Sequence, residues 1–165
     1  DFMPQKLSCP VPKDQRPINE YMKLVQSDFF NWPVLTESLF KRKIIKLFFL
    51  FFTLALPFSN LFINFNKSII KLLLVNSALS SFLVIFIILR LLLGWNYIKQ
   101  RLDDSKVFYE ESSWYDGRIW TKSKSILFQE KLIHIYQVLP IIKKINNMLV
   151  GTCTLFITFL LMLIF

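Results

Sequence analysis

The stretch YEESSWYDGRIW, Tyr109–Trp120, places three acids, Glu110, Glu111 and Asp116, among four aromatic side chains. Three carboxylates so close in sequence could hold a hard cation. On a strand, however, neighbouring side chains point to opposite faces, so Glu110 and Glu111 would diverge. The other reading is a set of surface acids that meets a basic patch on a partner. Asp116-Gly117 is a turn signal, so the stretch is expected to fold as a small β-hairpin. Trp114, Tyr115 and Trp120 would then supply contact or interfacial anchoring.

His134 is the chain's one histidine. An imidazole can titrate near neutrality or ligate a metal centre such as a chlorophyll magnesium. His134 lies off the apolar stripe of its helix, which favours a solvated or headgroup-facing side chain. There are no paired imidazoles for zinc. No Gly-rich phosphate loop, Cys-x-x-Cys or Gly-x-Ser-x-Gly occurs. No catalytic residue or metal site is assigned on this basis. Cys9 and Cys153 lie in a polar segment and an apolar run respectively, so no disulfide framework is expected.

The elements that must position these residues are dominated by apolar runs. Of 165 residues, 54% are hydrophobic, against roughly 45–50% in a soluble domain. The distribution matters more than the total. Leu47–Ile63, Leu72–Leu89 and Met148–Phe165 contain no charged residue. Each approaches the roughly 17–25 residues that cross a bilayer core as a helix, the form that satisfies its own backbone in lipid. The expected fold is an all-α membrane protein with three transmembrane helices, short amphipathic helices and a small β-hairpin on one side. Buried core helices would be the alternative, but too little polar sequence remains to cover three of them.

Polar side chains inside such runs are costly, which marks Asn76. Ser77 and Ser81, one turn apart, form a small-x-x-x-small pattern, and Gly151, Thr154 and Thr158 form a comparable face on the third run. These are helix-packing candidates, either within the chain or towards a partner's membrane helix. No run carries an acid or lysine in its middle, so a proton relay is not supported.

Four segments follow. Residues 1–45 form a polar N-terminal segment. CPVPKDQRP is too proline-rich for helix, while Pro17 suits the first turn of a short one. Residues 46–97 form a transmembrane hairpin of two spans, kinked at Pro57 and joined by a turn at Asn64–Lys67. Residues 98–147 hold the β-hairpin and an amphipathic helix, Lys124–Leu139. Its apolar face carries Phe128, Leu132, Ile135, Tyr136 and Leu139. It lies in the membrane interface or packs onto the other polar segment. Pro140 is expected to start a new helix that feeds the third span, 148–165. The chain does not begin with Met, so its numbering is expected to start after trimming or inside a longer precursor.

The net charge is +9. Its cations cluster at the ends of the apolar runs, as at Lys41, Arg42, Lys43, Lys99, Arg101, Lys143 and Lys144. Anionic lipid and topology account for that pattern, and nucleic acid is not the expected partner. The positive-inside rule puts the N-terminus and residues 98–147 on one side, cytoplasmic or its organelle equivalent.

Those two polar segments carry a resemblance. CPVPKDQRPINEYMKLVQSDFFNWP (Cys9–Pro33), and YEESSWYDGRIW followed by YQVLP (Tyr136–Pro140), resemble the small membrane proteins called hypothetical chloroplast reading frame thirty-six. The resemblance covers most of the chain from Cys9 to Lys144. It implies an oxygenic photosynthetic organism and a plastid membrane, thylakoid or alternatively inner envelope, with the polar segments facing the stroma. It implies no reaction. It makes Cys9, Arg16, Glu20, Tyr21, Trp32, Glu110, Glu111, Trp114, Tyr115, Asp116, Trp120 and Tyr136 partner-binding candidates.

The leading expectation is an accessory or assembly subunit of a photosynthetic membrane complex, in contact with membrane lipid and bound through its stromal surface and membrane helices. Chlorophyll, carotenoid or lipid is the class of group it could carry. Two readings compete. One is an accessory partner of a plastid transport or protein-insertion machine. The other is an interfacial lipid or pigment enzyme using Glu110, Glu111, Asp116 and His134.

Overall fold

The computed structural model describes residues 10–62, 68–110 and 117–164. Pro17 opens helix α1 (Pro17–Gln26), where its missing N–H costs no intrahelical bond. Helix α2 (Glu37–Phe62) runs through Pro57 without a break. Ser68 caps helix α3 (Ile69–Asp103), its hydroxyl accepting from the Lys71 N–H at 3.3 Å. Strands β1 (Lys106–Glu110) and β2 (Gly117–Thr121) pair antiparallel, with Val107 opposite Trp120 and Phe108 opposite Ile119. Helix α4 (Lys124–Ile133), a π-helical turn (His134–Val138) and helix α5 (Leu139–Ile164) then follow as one continuous helix of 41 residues.

That continuity corrects the expected restart at Pro140. A proline lacks the N–H that would serve the carbonyl four residues back, and its ring crowds that carbonyl. Here the turn just before Pro140 is widened. The Leu139 N–H reaches back five residues to the His134 carbonyl. The helix therefore passes the proline and extends about 62 Å, twice the hydrocarbon core of a bilayer.

The expected count of three spans also changes. Among the described residues two helices are long and apolar enough to cross a membrane, α3 and the continuous helix Lys124–Ile164. The expected first span, Leu47–Ile63, falls on α2. Lys41, Arg42, Lys43 and Lys46 occupy the first turns of α2. Only the run from Leu47 to Phe62 is then uncharged in it, about 24 Å of helix against a ~30 Å core. Ile63 and the turn at Asn64–Lys67 lie outside the described residues. The small antiparallel sheet is as expected, but Gly117 stands in the ladder opposite Glu110 rather than in the turn.

Helix α3 is central, with α2 and α5 packed against it. The main core gathers where the N-terminal segment meets the bundle. Phe40 and Ile44 of α2, Ile88, Leu91, Trp95 and Leu102 of α3, and Ile141 and Ile145 of α5 are buried there with Tyr21 of α1. The 30s segment is locked on by specific contacts. The Phe30 ring lies against Gly94, and Trp95 Nε1 donates to the Phe30 carbonyl at 3.2 Å. Lys144 Nζ donates to the Pro33 and Leu35 carbonyls, each at 2.8 Å. Further along α5, Val150, Leu155, Ile157, Leu161, Met162 and Ile164 are exposed. Only lipid or another apolar surface would cover such a face.

Candidate functional site

The polar residues of the two motif segments meet at the C-terminal end of α3. Arg101 is the centre of this junction. Its guanidinium takes both carboxylate oxygens of Glu20, Nε to Oε2 at 3.0 Å and Nη2 to Oε1 at 3.0 Å. It also donates to the Phe108 carbonyl at 3.1 Å and the Gln15 carbonyl at 2.9 Å. One side chain thus ties the N-terminal segment, α3 and β1 together, in the forked geometry that Arg offers and Lys does not.

Gln15 completes the joint. Its side-chain amide donates to the Glu110 carbonyl at 3.0 Å and accepts from the Glu110 N–H at 2.9 Å. It thereby satisfies both backbone groups of Glu110 on the outer edge of β1. Val11 is buried against Val107, Tyr109 and Trp120, giving the hairpin its own small core. Strand alternation decides these faces: Val107 and Tyr109 turn inward, and Phe108 and Glu110 turn outward.

A second layer holds the continuous helix. Lys122 Nζ approaches Glu130 Oε2 at 2.6 Å, with both side chains almost wholly buried. The same ammonium donates to the Arg101 and Leu102 carbonyls at 2.8 and 3.3 Å, capping the C-terminus of α3. His134 is buried too, which corrects the expected solvated side chain. Its Nδ1 lies 3.7 Å from Asp103 Oδ1, beyond hydrogen-bond range, and its Nε2 is buried without a partner. Tyr21 donates to Gln137 Oε1 at 2.5 Å and meets Trp95 edge-on. Burial raises the Tyr21 phenol above its ordinary pKa, which keeps the hydroxyl a donor.

The sequence candidates therefore divide. Cys9, Glu111, Trp114, Tyr115 and Asp116 lie outside the described residues. Glu20 and Tyr21 are used inside the fold, and Arg16 Nε donates to the Val11 carbonyl at 3.1 Å. Trp32 packs on Phe29 and under the Lys43 ammonium. Trp120 covers the hairpin core, while the Glu110 side chain stays exposed. Tyr136 stands 74% exposed.

In the bundle, Asn76 is buried and its Nδ2 donates to the Phe52 carbonyl of α2 at 2.8 Å. Ser77 and Ser81 bond back to the Leu73 and Ala78 carbonyls. Thr154 and Thr158 do the same to Gly151 and Leu155 and face outward. Only Asn76 of this set makes a side-chain hydrogen bond between helices.

The arrangement is a structural joint. Its cations Arg101 and Lys122 face carboxylates and backbone carbonyls. Among the described residues no group of three His, Cys, Asp or Glu side chains could hold a metal ion. The His134 imidazole is too enclosed to offer an open axial face to a tetrapyrrole. The cavity beside Glu110 is lined by Gln15, Tyr97, Arg101 and Phe108 and does not include His134, so these two enzyme candidates do not converge.

The outer face of the continuous helix contrasts with this satisfied interior. Phe128, Leu132, Ile135, Tyr136 and Leu139 are all exposed, while Glu130, His134 and Val138 turn inward. The helix buries two polar side chains, Glu130 and His134, beside Val138, while Lys124, Gln129, Lys131 and Gln137 stay exposed with the apolar stripe. Sequence reasoning found the apolar stripe and missed Gln15, Arg101, Lys122 and Asp103. A signal was present. Glu130, His134 and Val138 recur every four residues, a spacing that a π turn keeps on one line better than a regular α-helix does.

Comparison with known proteins places this geometry in a family. Residues 9–151 match the family model described as CGLD27-like, conserved in the green lineage and diatoms 27. The chain is 41% identical over 141 residues to the ycf36 protein of Pyropia yezoensis, covering 86% of each. It is 40% identical over 161 residues to that of Cyanophora paradoxa, covering 94% of this chain and 97% of the other. It is 35% identical over 156 residues to the Arabidopsis thaliana protein named conserved in the green lineage and diatoms 27, chloroplastic, covering 94% of this chain and 48% of that one. No solved structure matches.

Proposed function

The chain belongs to the CGLD27-like family, and from that premise we propose that it is an accessory or assembly subunit of a photosynthetic membrane complex that acts by protein–protein binding. The observation that carries this reading is the exposed apolar stripe of the continuous helix. Five large apolar side chains, Phe128 to Leu139, are exposed on the part of the helix that precedes the apolar run 148–164. Leu139 lies nine residues before Met148, so the stripe sits about 14 to 30 Å up the helix from it. Acyl chains do not reach that far above a bilayer core, so a protein surface is the covering that fits.

The charges around the stripe support a partner of opposite sign. Lys124, Lys131 and Lys143 are exposed along it, whereas Glu130, the one acid between Lys124 and Ile164, is buried against Lys122. A complementary surface is apolar with an acidic rim. The chloroplastic name of the Arabidopsis relative supports a plastid setting. The cations at the polar ends of the bundle support a stromal position for the joint, with the thylakoid as the membrane proposed.

The test is isolation of the tagged full chain from its native membrane in mild detergent, beside the variant Leu132→Glu/Tyr136→Glu. The intact chain should migrate with photosynthetic complex subunits, and the variant should migrate alone with its helicity unchanged. Migration of the intact chain as a free particle would overturn the reading. Migration with translocase or transporter subunits would favour the alternative of a transport or insertion accessory.

A further inference from the structure

We propose that a groove between α2, α3 and α5 binds one anionic glycerolipid, with its headgroup at Lys41 and Asn147 and an acyl chain running towards Phe159. The cavity has a volume of about 450 Å³, within the ~300–1,000 Å³ range of small-molecule sites. Its walls are Phe48, Val84 and Leu155, and its polar groups gather at one end.

The lining is more apolar than its residue types imply. Ser81 and Thr152 face the groove, but both hydroxyls are turned back onto their own helices. Ser81 donates to the Ala78 carbonyl at 2.8 Å, and Thr152 to the Met148 and Leu149 carbonyls at 3.0 Å. What they present is hydrocarbon. Gly151 lines the groove, and a Cβ there would meet nothing within 4 Å, so a larger side chain has room to enter the cleft. In this chain its small size leaves a cleft rather than a helix contact.

Length and charge choose the occupant. From Asn147 to Phe159 the groove spans about 18 Å along α5. That is close to one leaflet, half of a ~30 Å core. A crossing partner helix would need the full thickness. The polar end carries the Lys41 ammonium beside Asn147, with Glu37 as the nearby acid. Glu37 pairs with Lys41 at 2.6 Å, but both side chains are more than half exposed. Such a pair is weak and readily shared with a phosphate.

The test uses the full chain in detergent, titrated with phosphatidylglycerol or phosphatidylcholine of identical acyl chains and read by native mass spectrometry. The intact chain should retain one phosphatidylglycerol at least tenfold more strongly than phosphatidylcholine. Gly151→Leu, which fills the groove, should abolish retention of both. Lys41→Gln should remove the preference and leave phosphatidylcholine unaffected. Leu155→Trp fills the cleft from another wall and serves if Gly151→Leu does not fold. Equal retention of the two lipids by the intact chain, or undiminished retention by a folded groove-filling variant, overturns the proposal.

Discussion

Arg101 and Glu20 lie 81 residues apart and are joined by two parallel bonds of 3.0 Å. The pair fixes the N-terminal segment to the end of the central helix, with side chains only 17% and 19% exposed. Arg101→Lys keeps the charge but cannot form the fork or reach the Gln15 and Phe108 carbonyls together. A loss of about 2 kcal/mol is expected, the scale of hydrogen bonds to a charged group in a half-buried site. Thermal unfolding in detergent measures it, and limited proteolysis should show residues 10–16 released first. If Arg101→Lys melts with the parent protein, the fork contributes nothing beyond charge.

Gly94 is set by the Phe30 ring. A Cβ at this position would stand 2.4 Å from Phe30 Cε1. Gly94→Ala forces the ring away and disturbs the Trp95 indole bond to the Phe30 carbonyl. The expected cost is about 1–3 kcal/mol, as for other overpacked contacts. Adding Phe30→Leu should recover most of the melting temperature. Tryptophan emission should shift in the single variant and return in the double one.

The two apolar helices and the paired strands were legible because each rests on a local pattern. Uncharged runs mark Leu72–Leu89 and Met148–Phe165, and the Asp116-Gly117 signal marks the hairpin. The continuous helix was not legible, because the rule for an internal proline is local and the π turn that relieves Pro140 depends on packing. Which residues of Lys124–Leu139 are buried was not legible for a related reason. A hydrophobic pattern shows that two faces differ without saying which one is buried. Here Lys122, just ahead of the helix, satisfies Glu130, while Tyr21 and Asp103, distant in sequence, bond Gln137 and stand beside His134. The same cause explains why Glu20 and Tyr21 read as surface candidates. Their partners Arg101 and Gln137 come from other elements.

Asn76 distinguishes a hydrogen bond from mere polarity. Its Nδ2 donates to the Phe52 carbonyl, adjacent to the Thr53 carbonyl that Pro57 leaves without an intrahelical donor. Its Oδ1 has no partner. Asn76→Ala removes one interhelical bond and should cost only about 0.6 kcal/mol. Asn76→Asp replaces the donor with an acceptor facing a carbonyl and should cost several times more. Melting curves of the two variants side by side check the order, and equal losses would mean that the bond plays no part.

Lys122 and Glu130 offer the sharpest contrast, because a buried ion pair behaves differently when one partner or both are removed. Separated from Glu130, the Lys122 ammonium would still cap Arg101 and Leu102. Separated from Lys122, the Glu130 carboxylate would be left almost wholly buried beside an unpartnered His134 nitrogen. Lys122→Met should therefore be the worst change, costing about 3–5 kcal/mol. Glu130→Leu should cost less, since the ammonium keeps its two carbonyls. The double change Lys122→Met/Glu130→Leu removes both charges and fills the space with hydrocarbon, so much of the loss should be regained. The residual deficit measures the cap on α3. Unfolding of the four proteins in one detergent gives the cycle, and additive losses in the double variant would show that the two charges do not depend on each other.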